Sequence, residues 1–321
     1  MLWCSVLLAV TFRMVTGVTD RPIIGIMTME LEKSLEASYP GYDVYIAASY
    51  VKAVEGAGAR VVPVFTGQSE SYYRKIAQSV NGILIPGGGA QFSGTDNFYA
   101  ATKTMYNIAL EMNGKKIHFP ILAVCLGYQL IAHLANNDKS LLKRCDIIHT
   151  NMNLKFLPGF RKGSLLKSIP KQIARALEGS NITVHNHNWC IYPDDFSAAL
   201  DKDWKILATT DDLQGVPFIS AYEHRKHPIG AVLFHPEKNI YEWGRVLNFP
   251  RSPRAIAASR YFYDWLVGEA KKNDNYFSEL HLEQESLIYN FEAFHSELFY
   301  PTTHSNFTHT YLFNTKYLDV K

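Results

Sequence analysis

An unbroken apolar run, Pro120-Ile-Leu-Ala-Val124, leads directly into Cys125, and a helical pattern of apolar residues follows at once. A continuous apolar run of this length is typical of a strand that is covered on both faces. Small residues stand two positions before and two positions after the cysteine, Ala123 and Gly127, as a sharp strand-to-helix turn requires. The segment therefore predicts a buried strand, a tight turn and a helix, with the Cys125 thiol at the turn.

A thiol at such a turn lies at a helix N-terminus, where free N–H groups and the helix dipole favour the thiolate. Nucleophiles of hydrolases occupy the same arrangement. A buried structural cysteine is the alternative, since cysteine is often buried for packing alone. We expect Cys125 to be a nucleophile, which requires a base and groups that bind an oxyanion elsewhere in the chain.

Strand and helix patterns alternate up to the cysteine strand, which predicts a parallel sheet with helices on both faces. Strands are expected at 22–27, 60–65 and 81–86, and helices at 42–57, 70–80 and 98–112. Pro63 indicates an edge strand or a bend. Because the carboxyl ends of parallel strands carry the active site in such sheets, Cys125 stands at the expected edge.

The second half of the chain has strand patterns separated by Gly, Pro and Asp-Asp turns, and it ends in a long helix at 252–271. The strands are expected at 146–149, 181–185, 205–209, 217–222 and 228–234. We predict an α/β fold, a three-layer sandwich whose mainly parallel central sheet is extended by antiparallel strands. Residues 18–321 should form a single domain, with an aromatic-rich tail from about 273 packed on the body.

The N-terminal segment 1–17 has a short apolar stretch followed by small residues, which predicts a cleaved signal peptide; a disordered or buried N-terminus is the alternative. Two glycosylation triplets begin at Asn181 and Asn306. These features predict a glycosylated protein that is secreted, lysosomal or both. A net charge of +2 with no cluster of Lys or Arg argues against a nucleic-acid partner, and no later apolar run suggests a membrane partner.

Once the signal peptide has been removed, Cys125, Cys145 and Cys190 remain, an odd number that leaves at least one free thiol. A Cys145–Cys190 bridge is compatible with the sequence but cannot be derived from it. His185, His187 and Cys190 could ligate a metal, yet the sequence has no second dense cluster of ligands. We therefore predict no metal and no cofactor, with His185 and His187 on one face of a strand or lining a pocket.

The strand that ends at Phe234 is followed by His235-Pro-Glu237, which places a histidine and a carboxylate two residues apart. In an extended chain they point to one side, as a base and its orienting partner should. An exposed turn histidine with a capping glutamate is the alternative.

A glycine loop, Gly87-Gly88-Gly89, follows a strand that should run parallel to the cysteine strand. We expect the N–H groups of Gly88, Gly89 and Leu126 to form an oxyanion hole. An ordinary glycine turn or a phosphate loop is the alternative, although no Lys-Ser/Thr follows as a Walker loop would require.

The cysteine turn, the Pro-Gly-Gly loop and the His-Pro-Glu turn together resemble class I glutamine amidotransferase-like hydrolases. Further segments are similar to the gamma-glutamyl hydrolase family: Pro22-Ile-Ile-Gly-Ile, Tyr45-Ile-Ala-Ala-Ser-Tyr-Val-Lys, Gly56-Ala-Gly-Ala-Arg-Val-Val-Pro, Asn81-Gly-Ile-Leu, His235-Pro-Glu-Lys and Tyr241-Glu-Trp. The resemblance covers nearly the whole chain. One departure is Ala123, where the superfamily usually has glycine.

The resemblance implies a cofactor-free mechanism with Cys125 as nucleophile, His235 as the proton-transferring histidine and Glu237 as its partner. It also implies that Tyr50 and His187 lie near the substrate. The expected reaction is hydrolysis of γ-glutamyl bonds in poly-γ-glutamates, folate and antifolate conjugates included, through a thioester. A glutaminase subunit that passes ammonia to a synthetase and a non-enzymatic protein that kept the fold are the alternatives. The sequence leaves the assembly open, a homodimer included.

Overall fold

The structure, a computed structural model, describes residues 19–31, 33–92, 96–244, 248–296 and 307–317. The strands in chain order are β1 (Ile23–Met27), β2 (Met29–Glu30), β3 (Val44–Ala47), β4 (Arg60–Val64), β5 (Gly82–Ile85), β6 (Ile121–Val124), β7 (Lys143–Met152), β8 (Lys155–Phe156), β9 (Thr183–Cys190), β10 (Trp204–Asp211), β11 (Pro217–His224), β12 (Ile229–Val232), β13 (Ala293–Phe294) and β14 (Thr310–Phe313). The α-helices are α1 (Lys33–Ser38), α2 (Ala48–Gly56), α3 (Glu70–Ser79), α4 (Asn97–Gly114), α5 (Leu126–Ala135), α6 (Lys171–Gly179), α7 (Pro193–Leu200), α8 (Lys238–Tyr241), α9 (Pro253–Ala270) and α10 (Leu280–Ser286). The predicted signal peptide and Asn306 lie outside the described residues. Within the described ranges, no helix combines the length and the apolar character that a membrane crossing needs.

The central sheet has eight strands in the order β4-β1-β5-β6-β12-β11-β10-β8. The strands from β4 to β12 in this order are parallel to one another, and β11, β10 and β8 continue the sheet in antiparallel fashion. Every residue of β1, β5, β6 and β12 is buried, which explains their continuous apolar sequences. The predicted fold class is confirmed, but β12 belongs to the parallel part of the sheet rather than to its antiparallel extension.

Two layers of apolar side chains cover the two faces of this sheet. Ile83 and Ile121 belong to a core on the side of α4 and α5, whereas Leu84 and Leu122 belong to a core on the side of α2 and α9. Neighbouring residues therefore enter opposite cores, as the two-residue period of a strand dictates. Each such fully buried side chain contributes about 1.5–3 kcal/mol relative to exposure.

Pro63 lies in β4, the outermost parallel strand, opposite Ile26 of β1. Proline lacks the N–H that a second neighbouring strand would need, so an edge strand accommodates it. The expectation of an edge position is confirmed.

A second sheet has the order β13-β14-β3-β2, and all of its pairs are antiparallel. Residues 44–47, expected to begin a helix at 42, instead form β3 and pair with β14 of the C-terminal tail. The helix α2 begins only at Ala48. The prediction was wrong because β3 forms by pairing with a strand more than 260 residues away in the chain. The local spacing of apolar residues carries no information about such a partner.

The strands β7 and β9 form a two-stranded antiparallel sheet of their own. The expectation that residues 146–149 and 181–185 extend the central sheet was therefore wrong. A disulfide between Cys145 and Cys190 links the two strands, so the structure decides the pairing that the sequence left open. This β7–β9 sheet still reaches the central sheet, because the backbone carbonyl of Val184 accepts a hydrogen bond of 2.8 Å from the backbone N–H of His235.

Three neighbouring strands, β5, β6 and β12, end at the same edge of the central sheet. Gly87, Cys125 and His235 follow them, each within three residues of its strand. The parallel registers of β5 with β6 and of β6 with β12 therefore bring together residues that are far apart in the sequence. This carboxyl edge is where α/β sheets hold their sites.

Candidate active site

The cysteine turn has the backbone geometry that its sequence suggested. Cys125 precedes the first residue of α5 with φ of 50° and ψ of −103°, a conformation that few residues other than glycine adopt. A Cβ on Gly127 would lie 2.4 Å from the carbonyl oxygen of Ile85, so only glycine fits there. Ala123 is fully buried in the core beside α5, and its methyl group is accommodated there.

His235 and Glu237 form a buried pair beside the cysteine. The Nδ1–H of His235 donates to the Glu237 Oε1 at 2.7 Å, and Glu237 is fully buried. The Tyr263 hydroxyl donates to the other carboxylate oxygen at 3.3 Å. Because Glu237 occupies Nδ1, the Nε2 of the imidazole is left for the Cys125 thiol, which lies close enough to act on the charge of His235.

The charges of this site determine the protonation of His235. Burial by itself lowers the pKa of His235, and so does the charge of Lys238. A Cys125 thiolate and the Glu237 carboxylate outweigh both and raise that pKa to about 9. Burial likewise acts to raise the pKa of Glu237, but the charge and hydrogen bond of His235 outweigh it and hold that pKa below its usual value. The site therefore favours the imidazolium form of His235 beside the Glu237 carboxylate.

Gly87 is the point where the glycine loop meets these residues. A Cβ at this position would lie 2.9 Å from the Cys125 Cβ, 2.9 Å from the His235 Cε1 and 2.9 Å from the Tyr50 hydroxyl. The Gly87 N–H donates to the Tyr50 hydroxyl at 2.9 Å, and that hydroxyl lies 3.5 Å from the His235 Nδ1. Burial and the nearby charge of Glu237 hold the pKa of Tyr50 well above its usual value, so Tyr50 stays neutral.

The three amides expected to bind an oxyanion lie on the two loops that flank the thiol. Gly88 is partly buried, Gly89 is exposed and Leu126 is the first residue of α5. Within the described ranges, none of the three N–H groups donates to a protein acceptor. A Cβ on Gly88 would lie 2.2 Å from the Met29 sulfur, so a larger residue here would displace the Met29 side chain.

His187, expected near the substrate, is buried and lies within reach of the charge of His235; its contact with substrate stays a prediction. Its Nε2 is 3.0 Å from the Nδ1 of His185, and its Nδ1 faces the Cys145–Cys190 disulfide. The prediction that the two histidines share one face of a strand is confirmed, since both are buried on the same side of β9. Asn181, the predicted glycosylation site within the described residues, is exposed just before β9.

Sequence reasoning missed three residues of this site: Gly87, Tyr263 and Lys238. Tyr263 carries no local signal, because it looks like one more apolar position of α9. Lys238 follows the His-Pro-Glu turn directly, and only 3% of it is exposed. Among the described residues it has no ion-pair partner, and its ammonium lies 5.8 Å from the centre of the Phe307 ring. A buried lysine without an ion pair is unusual and points to a role in the site, but its burial can be seen only in the structure.

A cysteine at a strand-to-helix turn, beside a buried histidine–carboxylate pair at the carboxyl edge of a mainly parallel sheet, defines a hydrolase of the cysteine type. Comparison with known proteins agrees with this class. The sequence model described as peptidase C26 matches residues 22–237. The chain belongs to the peptidase C26 family.

The similar proteins include gamma-glutamyl hydrolases of distant organisms. The chain is 36% identical over 299 residues to the gamma-glutamyl hydrolase of Mus musculus, which covers 92% of this chain and 90% of the relative. It is 33% identical over 309 residues to gamma-glutamyl hydrolase B of Dictyostelium discoideum. That match covers 94% of this chain and 86% of the relative. Among solved structures, the glutaminase domain of Trypanosoma brucei CTPS with bound acivicin is 17% identical with a TM-score of 0.49, and the match covers 79% of this chain and 95% of that domain.

Proposed function

We propose that this chain hydrolyses γ-glutamyl bonds in poly-γ-glutamates, folate polyglutamates included, with Cys125 as the nucleophile. The observation that carries the proposal is the geometry of Cys125, held at positive φ beside the His235–Glu237 pair. The substrate class rests on the similarity over most of the chain to proteins that are named gamma-glutamyl hydrolases.

The reaction proceeds in two steps. The Cys125 thiolate attacks the γ-carbonyl carbon, and the amides of Gly88, Gly89 and Leu126 stabilise the negative oxygen that forms. His235 gives its Nε2 proton to the leaving amine as the C–N bond breaks, which leaves a thioester on Cys125. Water then attacks the thioester, His235 takes its proton, and the carboxylic acid and the free thiol are released.

Glu237 and Tyr50 serve this chemistry without touching the bond that breaks. Glu237 fixes the imidazole so that Nε2 faces the thiol, and its charge stabilises the imidazolium. The Tyr50 hydroxyl accepts the Gly87 N–H and so holds the glycine loop against His235.

In a γ-glutamyl substrate, three carbons separate the α-carboxylate from the carbonyl carbon that is attacked. The binding site therefore needs a cation at the position of this α-carboxylate. Lys238 is the candidate, since it is buried beside the His235–Glu237 pair and has no ion pair within the described ranges. Phe307, whose ring faces its ammonium, packs on Tyr45 at 6.0 Å between ring centres. The Tyr45 hydroxyl in turn would lie 3.2 Å from a Cβ on Gly88, so this row of contacts leads to the oxyanion loop.

We further propose that the protein is secreted or lysosomal and glycosylated. The exposed position of Asn181 is compatible with a glycan, and a disulfide is typical of an oxidising compartment. The shift in apparent mass after enzymatic removal of N-linked glycans, compared between the parent and Asn181→Gln, tests the assignment of Asn181.

The test of the activity is incubation of the purified chain with a defined γ-glutamyl oligomer, followed by mass analysis of the products. We expect glutamate or shorter oligomers to be released by the parent chain. Cys125→Ala should reduce turnover by at least about 1000-fold. Near-parental turnover by Cys125→Ala would overturn the assignment of the nucleophile. Ammonia release from free glutamine without oligomer cleavage would indicate a glutaminase instead.

A further inference from the structure

A second cluster of reactive side chains lies on the two-stranded β7–β9 sheet, and the proposed hydrolysis makes no use of it. Cys145 comes from β7, and His187 and Cys190 come from β9. The His187 Nδ1 is 3.7 Å from the Cys145 sulfur and 3.8 Å from the Cys190 sulfur. The three potential ligand atoms lie within 4.8 Å of one another.

A chain of hydrogen bonds fixes the tautomer of His187. The Thr183 hydroxyl donates its one hydrogen to the carbonyl oxygen of Met152 at 2.7 Å. It must therefore accept from the His185 Nε2, which is 3.0 Å away. Because neutral His185 then has no hydrogen on Nδ1, that atom accepts from the His187 Nε2–H at 3.0 Å.

The consequence is that the His187 Nδ1 carries a lone pair and not a hydrogen. Only 6% of His187 is exposed, and among the described residues its Nδ1 meets the two sulfurs alone. In the disulfide neither sulfur has a hydrogen to donate, so a buried acceptor is held in place without a donor.

We propose that reduction of the Cys145–Cys190 disulfide creates a metal site in which Cys145, His187 and Cys190 bind one zinc ion. A dithiol supplies the two electrons and is itself oxidised to a cyclic disulfide, and the two cysteines become thiols. Zinc then displaces both thiol protons and binds two thiolates and the neutral Nδ1. A disulfide oxidant, which takes up two electrons and two protons and becomes two thiols, reforms the Cys145–Cys190 bridge and releases the metal.

The geometry suits zinc in particular. With Zn–S near 2.3 Å and Zn–N near 2.0–2.1 Å, a tetrahedral ion separates its nitrogen and sulfur ligands by about 3.6 Å. The two nitrogen–sulfur distances, 3.7 and 3.8 Å, already match this spacing. Breaking the S–S bond lets the sulfurs move apart. His185 holds the other ring nitrogen, as the outer partners of metal-bound histidines do.

The proposal is independent of the hydrolase activity, so its test uses a spectroscopic readout. The full chain carrying Cys4→Ser and Cys125→Ser, which removes the two other thiols, is first reduced. The reductant is then removed under exclusion of oxygen, and the chain is titrated with Co²⁺. We expect one equivalent to produce the thiolate charge-transfer and visible bands of a tetrahedral site. Zinc should abolish these bands by displacement, and the oxidised chain should give none.

His187→Gln should weaken Co²⁺ binding at least about tenfold, whereas His118→Gln, on the part-buried histidine paired with Glu269, should leave it unchanged. If reduction unfolds the chain, Cys145→Asp provides a carboxylate ligand that cannot be oxidised, and this variant should bind zinc without reductant. A reduced or Cys145→Asp chain that binds no metal would overturn the proposal. Equal affinity in the parent and in His187→Gln would overturn it as well.

Discussion

At the scale of single residues, the behaviour of the site depends on the charge of His235. The imidazole is buried, yet its pKa is raised to about 9, because a Cys125 thiolate and Glu237 outweigh burial and the charge of Lys238. A raised pKa means that the imidazolium persists below that value and loses its proton above it. The imidazolium that we propose as the acid for the leaving amine is therefore present across the neutral range.

We predict that kcat/KM for a γ-glutamyl oligomer falls about tenfold per pH unit as the pH rises beyond about 9. Glu237→Gln removes one of the charges that hold the proton on His235, so this alkaline limb should move to lower pH. Initial rates across a pH series in the parent and in the variant measure both effects. An unchanged limb in Glu237→Gln would contradict the assignment of the limb to His235.

Gly87 has no side chain because three groups of the site converge on it. In Gly87→Ala the new methyl group would lie 2.9 Å from the Cys125 Cβ, the His235 Cε1 and the Tyr50 hydroxyl. We expect kcat to fall about 100-fold, since displacement of reacting groups by an ångström has that effect. Gly114→Ala is the control, because no heavy atom lies within 4 Å of its added Cβ, and it should retain parental kcat.

Lys238→Met tests the proposed contact with the α-carboxylate. The variant should lower kcat/KM by about 10- to 100-fold, the value of one charged hydrogen bond. A substrate whose α-carboxylate is replaced by a carboxamide should react equally well with the parent and the variant. Lys226→Met, at an exposed lysine, is the matched control and should behave as the parent. If the variant still discriminates between the two substrates, Lys238 does not contact the carboxylate.

At the scale of secondary-structure elements, the C-terminal tail is part of the body of the protein. The strand β14 pairs with β3, and Phe313 packs with ring centres 5.3 Å from Phe65 and 4.9 Å from Phe291. β3 leads directly into α2, which carries Tyr50. The tail thereby supports the element that holds the glycine loop.

Phe313→Ala should lower the free energy of unfolding by about 3–5 kcal/mol, since the ring is 1% exposed and its removal leaves a cavity. Tyr276→Ala is the control, because this aromatic residue is 74% exposed and its loss should change stability by no more than about 0.5 kcal/mol. Urea unfolding followed by fluorescence measures the free energy of unfolding of both variants. Equal midpoints for the two variants would mean that the tail contributes little to stability.

Local patterns located the elements of the parallel sheet well, because their strands are buried on both faces and their apolar runs are long. They failed at β3, where Tyr45, Tyr50 and Val51 have helical spacing although the first of them lies in a strand. They also failed to separate β7 and β9 from the central sheet. Both errors concern strand partners, which are chosen by distant segments and not by the strand itself.

At the scale of the whole molecule, the Cys145–Cys190 disulfide closes a loop across a sequence separation of 45 residues. The β7–β9 sheet that it links supports the backbone of His235, whose N–H donates to the carbonyl oxygen of Val184. The double variant Cys145→Ser with Cys190→Ser should lower the free energy of unfolding by roughly 2–4 kcal/mol, chiefly because its unfolded chain is less restricted.

Unfolding midpoints with and without reductant provide the measurement for the disulfide. The parent should lose stability when it is reduced, and the double variant should be insensitive to reductant. A parent chain with the same midpoint in both conditions would contradict a stabilising role for the bridge.

The strand-to-helix turn at Cys125, the parallel sheet and the kinds of groups around the thiol could be predicted from the amino-acid sequence, because each depends on local spacing. The tertiary structure was needed to show that Gly87 faces Cys125 and His235, that Tyr263 donates to Glu237, and that Cys145 lies beside His187 and Cys190. These contacts join strands and helices distant in the chain. Their geometry depends on sheet order and register, which a single sequence does not encode in any local pattern.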